Sequence, residues 1–134
     1  MSVMDIKKAL DEGGGDFKKA RELLRFRGGE IAKKKQERET GEGSIEVYLH
    51  STGKTGVLLD VRCETDFVGK SPDFKELVHE LALQIAAMDP KDVEDLLRQE
   101  YVKDNAKTIE NLLEEYIAKL GENIVIKRFT RYKI

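Results

Sequence analysis

Cys63-Glu64-Thr65-Asp66-Phe67-Val68 gathers a thiol, two carboxylates, a hydroxyl and a large aromatic ring within six positions, the densest run of chemistry in the chain. Nucleophilic chemistry is the weaker reading of it. Cys63 is the only cysteine and ends an apolar run, which points to a buried thiol with a raised pKa rather than a reactive thiolate. A lone cysteine also excludes an intramolecular disulfide, and His50 and His79, the only histidines, have no partners in sequence that would complete a metal ligand set. Gly53-Lys54-Thr55 ends like a phosphate-binding loop, but the glycine such a loop needs five residues earlier is Tyr48, so these residues read as a hairpin turn. No catalytic residue, cofactor or metal is assigned. What remains is recognition: either Thr65-Asp66-Phe67-Val68 is a tight turn with Phe67 folded back onto the core, or it presents Phe67 to a partner.

The elements on either side define that turn. Val57 to Cys63 reads as a mostly buried strand, and Ser71-Pro72-Asp73 offers a capping hydroxyl, a proline at the first helical position and an early acidic residue. Upstream, Ile45, Val47 and Leu49 alternate with polar residues, and the turn-rich stretch from Ser51 to Gly56 joins them to the buried strand as a hairpin. Downstream, Phe74, Leu77, Val78, Leu81, Ile85 and Met88 recur every three or four residues as the inner face of a helix. Asp89-Pro90 is expected to start a shorter helix carrying Val93, Leu96 and Leu97. Ile109 to Leu120 forms another helix, stopped by Gly121. The last strand, Ile124 to Ile134, shifts the phase of its apolar positions between Ile126 and Phe129, as a bulge requires.

The N-terminal third differs. Met4, Leu10, Phe17, Ala20, Leu23 and Leu24 mark two short helices broken at Gly13-Gly14-Gly15, with Asp16 as an N-cap and Gly28-Gly29 as the expected close. Helices this short are marginal alone and need a surface to pack on. Residues 30–43 are almost wholly polar and read as a solvated linker with helical tendency. The expected fold is therefore α+β: a three-stranded antiparallel sheet with helices on one face, in residues 44–134, preceded by a small helical module in 1–29.

The totals narrow the function. With 24 basic and 26 acidic side chains the formal net charge is −2, so there is no global field to draw nucleic acid or membrane. No apolar stretch approaches the roughly 20 residues of a bilayer-spanning helix, and a soluble, cytoplasmic protein is expected. Lys33-Lys34-Lys35 and the basic, aromatic run from Lys127 to Lys133 allow an RNA-binding reading. Against it stand the acidic residues after the lysines and a final strand whose cations are expected to face solvent.

The Thr-Asp-Phe-Val sequence after a strand ending in Cys-Glu resembles the signature of the elongation factor Ts family. Asp5 to Leu10, Gly14-Gly15-Asp16, Gly56-Val57-Leu58, Val102-Lys103-Asp104 and the run from Gly121 to Phe129 resemble further family segments in the same order. The resemblance implies a guanine-nucleotide exchange factor for elongation factor Tu, not an enzyme with a covalent step. It implies that Thr65, Asp66, Phe67 and Val68 contact the GTPase near its nucleotide. It also implies that residues 1–29 are a ubiquitin-associated-like module contributing Asp5, Lys8 and Leu10 to binding, although the chain opens where the family already enters its second helix. Relative to long family members there is little between Pro90 and Tyr101 and only one half-core. A homodimer is the expected compensation, with Ile124, Ile126, Tyr132 and Ile134 supplying apolar area. The readings from other classes are an RNA-binding α+β domain and an adaptor that binds protein through its N-terminal helices alone.

Overall fold

The hydrophobic periodicities resolve into five strands and five helices over residues 17–134, the part described by the structure, a computed structural model. Asp5, Lys8, Leu10 and Asp16 lie outside the described residues. The main sheet has the order β1 (Glu42–Leu49), β2 (Thr55–Cys63), β5 (Ile124–Lys133), with both pairings antiparallel. Val57, Leu59, Val61 and Cys63 of β2 point to one face. There they meet Phe74, Leu77, Val78, Leu81 and Ile85 from the helix Pro72–Met88 and Ile109, Leu112 and Ile117 from the helix Ile109–Leu120.

In chain order the helices are α1 (Phe17–Lys35), α2 (Asp66–Gly69), α3 (Pro72–Met88), α4 (Val93–Arg98) and α5 (Ile109–Leu120). Two of their ends follow the sequence signals directly. The Ser71 hydroxyl accepts from Phe74 N at 3.2 Å to open α3, and Gly121, at φ 76°, closes α5 with its N–H on the Ile117 carbonyl.

Three expectations are corrected. Gly28-Gly29 does not end a helix, because α1 runs through it to Lys35. A Cβ at Gly29 would stand 2.6 Å from Glu114 Oε2, the movable end of a side chain, where α1 packs on α5. Asp89-Pro90 does not start a helix either. Asp89 is the left-handed residue that ends α3, at φ 46°, and α4 opens later, on Asp92, whose carboxylate accepts from Asp95 N at 2.8 Å. The third correction concerns the apolar face of the last strand, which does carry the bulge its phase shift predicts. Asp60 pairs with Arg128 and Val61 with Ile126, leaving Lys127 as an extra residue. A one-residue bulge reverses side-chain parity, so Ile124 and Ile126 are buried in the core while Tyr132 and Ile134 stand exposed on the opposite face.

That opposite face is the side of the sheet without helices. Ile45, Val47 and Leu49 of β1 and Leu58 of β2 are exposed there with Tyr132, and in β1 it is Tyr48 that packs toward the core. Asp60 is buried on this face between Arg62 at 2.7 Å and Arg128 at 3.1 Å. The Arg62 hydrogen bond, reinforced by Arg128, holds its carboxyl below the usual carboxylate range against the opposing effect of burial.

A small second sheet, β3 (Glu100–Tyr101) with β4 (Asp104–Thr108), was not anticipated. It is tied to α3 by Gln84, whose buried amide donates to Gln99 Oε1 and the Glu100 carbonyl and accepts from Val102 N. The Tyr101 hydroxyl donates to Glu80 at 2.7 Å, and burial together with that carboxylate raises its pKa.

Candidate functional site

Between β2 and α3 the chain makes a single helical turn, α2, where the sequence suggested an irregular connection. Thr65 precedes it in an extended conformation, and its Oγ1 accepts from Val68 N at 3.2 Å. Lys70 N then bonds the Asp66 carbonyl and Ser71 N the Val68 carbonyl, so the turn flows directly into the cap of α3. Helical geometry separates neighbouring side chains by about 100°, and it sorts the quartet. Val68 enters the core, whereas Phe67 points outward with 86% of its surface exposed and Asp66 is exposed beside Lys70 at 3.0 Å. Gly69 is buried against Gly43 and the Cys63 sulfur.

Cys63 is fully buried, and its thiol donates to the Thr65 carbonyl at 3.2 Å. Burial, with the Glu122 charge second, pushes its pKa from an ordinary 9.0 to about 11, so at neutral pH it is a packed thiol as the sequence suggested.

Two residues that lie in the family segment from Gly121 to Phe129, but to which the sequence reading gave no role, hold the turn from its N-terminal side. The Glu122 carboxylate accepts from Glu64 N at 3.1 Å, from Thr65 N at 3.0 Å and from the Thr65 hydroxyl at 2.7 Å. Asn123 N in return donates to Glu64 Oε2 at 2.6 Å, while the Asn123 amide donates to the carbonyls of Gln36 and Arg38 just past α1. The α5–β5 corner is thus bracketed to the end of β2 and to the exit of α1. Spacing gave no sign of this, because the partners of Glu122 lie 57 and 58 residues away.

The other candidate groups take structural positions. The Tyr48 hydroxyl and His50 Nδ1 lie 3.2 Å apart, and the His79 ring meets Tyr48 edge-on. No group of three or more histidine, cysteine or carboxylate side chains among the described residues could hold a metal ion, and no helix among them is long and apolar enough to cross a membrane. The basic C-terminal run is partly occupied. Arg128 is held by Asp60, and Arg131, expected to face solvent, turns back to donate twice to the Ala86 carbonyl at the end of α3. What the turn can do is mechanical: it offers an exposed aromatic ring and a carboxylate on a backbone fixed from both sides.

The sequence model of the family described as Elongation factor TS matches residues 64–134, a span that begins at this turn. Curated relatives bearing the name Elongation factor Ts align along nearly the whole chain. That of Rubrobacter xylanophilus is 39% identical over 177 positions, covering 98% of this chain and 91% of the relative. That of Coprothermobacter proteolyticus is 42% identical with 98% and 89% covered, and that of Thermotoga petrophila 40% identical with 98% and 88% covered. These alignments are longer than the 134 residues of this chain, so the relatives carry residues without a counterpart here.

Proposed function

The chain belongs to the elongation factor Ts family, and on that premise we propose that it accelerates release of GDP from elongation factor Tu during translation in the cytoplasm. The observation that carries this reading is the outward stance of Phe67 on a turn held before it by Glu122 and after it by Ser71. An exposed aromatic ring that enters a partner's pocket is a usual form of interface hot spot, worth about 2 kcal/mol or more when truncated. The turn, through Asp66 and Phe67, presses on the GTPase beside its nucleotide and loosens the contacts that hold magnesium and phosphate. Weakening GDP about a hundredfold takes a coupling free energy of roughly 2.7 kcal/mol, and the same factor weakens binding of this protein once nucleotide is present. Nucleotide rebinding therefore releases the exchange factor, and no covalent step is needed. The N-terminal module in residues 1–29, with Asp5, Lys8 and Leu10, supplies a second contact.

Release of a fluorescent GDP analogue from purified elongation factor Tu tests the reading. Catalytic amounts of this protein are expected to speed release well above the spontaneous rate, and an unchanged rate refutes it.

A homodimer formed through the open sheet face is part of the same proposal. Ile45, Val47, Leu49, Leu58 and Tyr132 give that face an apolar surface, and Asp60 offsets one of the two arginine charges beside it. The RNA-binding alternative is less supported, since Arg128 and Arg131 are already engaged.

A further inference from the structure

We propose that Glu122 is the positioning residue for the exchange turn: it fixes the backbone and hydroxyl of Thr65 so that Phe67 is presented outward before any partner arrives. The inference rests on the functional reading above for its consequence, but on the hydrogen bonds for its geometry.

A hydroxyl has one proton to give. In Thr65 that proton faces Glu122 Oε2 at 2.7 Å, which turns a lone pair of the same oxygen toward Val68 N at 3.2 Å and so caps α2. The carboxylate therefore sets the direction of the cap it does not itself make. Its other oxygen receives the amides of Glu64 and Thr65, the last two before the turn. Those amides lie past the end of β2 and are not used in its ladder with β1, which ends with Glu42 opposite Cys63. A four-residue helix has almost no stability of its own, so the direction of Phe67 is set by what holds the turn: Val68 in the core and Ser71 on its C-terminal side, and this anchor on its N-terminal side. Pre-organising a contact residue saves ordering cost on binding.

The anchor is reciprocal. Glu64, whose amide Glu122 receives, returns its own carboxylate to Asn123 N at 2.6 Å. The α5–β5 corner and the turn consequently move together, and loss of the Glu122 carboxylate frees the turn without removing any apolar side chain from the core.

Nucleotide release and amide hydrogen exchange test this in the full chain. Glu122→Ala is expected to slow stimulated GDP release about tenfold or more with a folded far-UV spectrum. The Phe67→Ala, Glu122→Ala double variant should lose much less than the product of the two single losses, because Glu122 acts through the turn that carries the ring. Glu122→Gln, which keeps one acceptor oxygen, should fall between wild type and Glu122→Ala. Losses that multiply in the double variant, or a wild-type rate in Glu122→Ala, overturn the proposal. Independently of any GTPase, the Val68 amide in Glu122→Ala should exchange at least about tenfold faster while amides in the centre of β2 keep their protection. Unchanged protection at Val68 overturns the proposal as well. Should the wild-type protein fail to stimulate GDP release, the functional reading falls and the Val68 amide alone decides the clamp.

Discussion

Phe67 and Val68 are adjacent in sequence and opposite in fate, and the difference separates the binding role proposed for the turn from its part in folding. Phe67→Ala is expected to reduce stimulated GDP release about 30-fold, the equivalent of about 2 kcal/mol at a hot spot, while shifting the melting temperature by no more than about 2 °C, as usual for an exposed side chain. Val68→Ala should do the reverse, costing about 1–2 kcal/mol of stability by the loss of buried methyl groups and leaving release near the wild-type rate at low temperature. Cys63 yields a third expectation. Its folded pKa lies above its ordinary value, so the thiol contributes stability that is present below about pH 9 and lost as pH rises toward about 11. Chemical denaturation at pH 8 and pH 10.5 should show that loss in the wild type, with a smaller pH dependence in Cys63→Ala. A thiol-reactive disulfide reagent at pH 8 should label Cys63 only as fast as the protein opens. Phe67 could be singled out in the sequence because a buried strand and a capping serine frame it within a few residues. Glu122 could not, because a carboxylate following a helix-ending glycine carries no record of an acceptor role so far along the chain.

At the scale of elements, periodicity located the strands and long helices, and the errors gathered where a local signal served a tertiary purpose. Gly28-Gly29 is a stop signal in isolation, yet packing against α5 carries the helix through it. Asp89-Pro90 has the form of a helix start, but Asp89 closes α3 instead. The β3–β4 hairpin was invisible because Glu100–Tyr101 is too short for alternation to register, and a buried glutamine on another helix holds it. Gly43 provides a direct test of the sheet. Its φ of 144° suits glycine, and a Cβ there would overlap the Val61 carbonyl oxygen on the neighbouring strand. Gly43→Ala should cost about 2 kcal/mol or more in urea denaturation, and because Gly43 also touches Gly69, it should disturb the turn with the sheet.

For the whole molecule, the bulge at Lys127 decides which surface remains open. Had β5 kept its parity, Ile124, Ile126, Tyr132 and Ile134 would share one face; instead the first pair completes the core and the second pair joins the outer face. Sedimentation at tens of micromolar is expected to show a dimer that persists in moderate salt, and Val47→Glu is expected to give a folded monomer. A wild-type monomer with full exchange activity would remove the dimer from the proposal. A separate consequence follows from the unbroken course of α1. Nineteen helical residues span about 28 Å, and the chain just beyond their C-terminal end is pinned through Asn123 to the same corner that grips the exchange turn. The helix is therefore a ruler with its zero mark at Phe67's anchor: it sets the distance from that anchor to Phe17. A deletion within α1 would therefore shorten that distance by about 1.5 Å for each residue and swing Phe17 around the helix axis by about 100°.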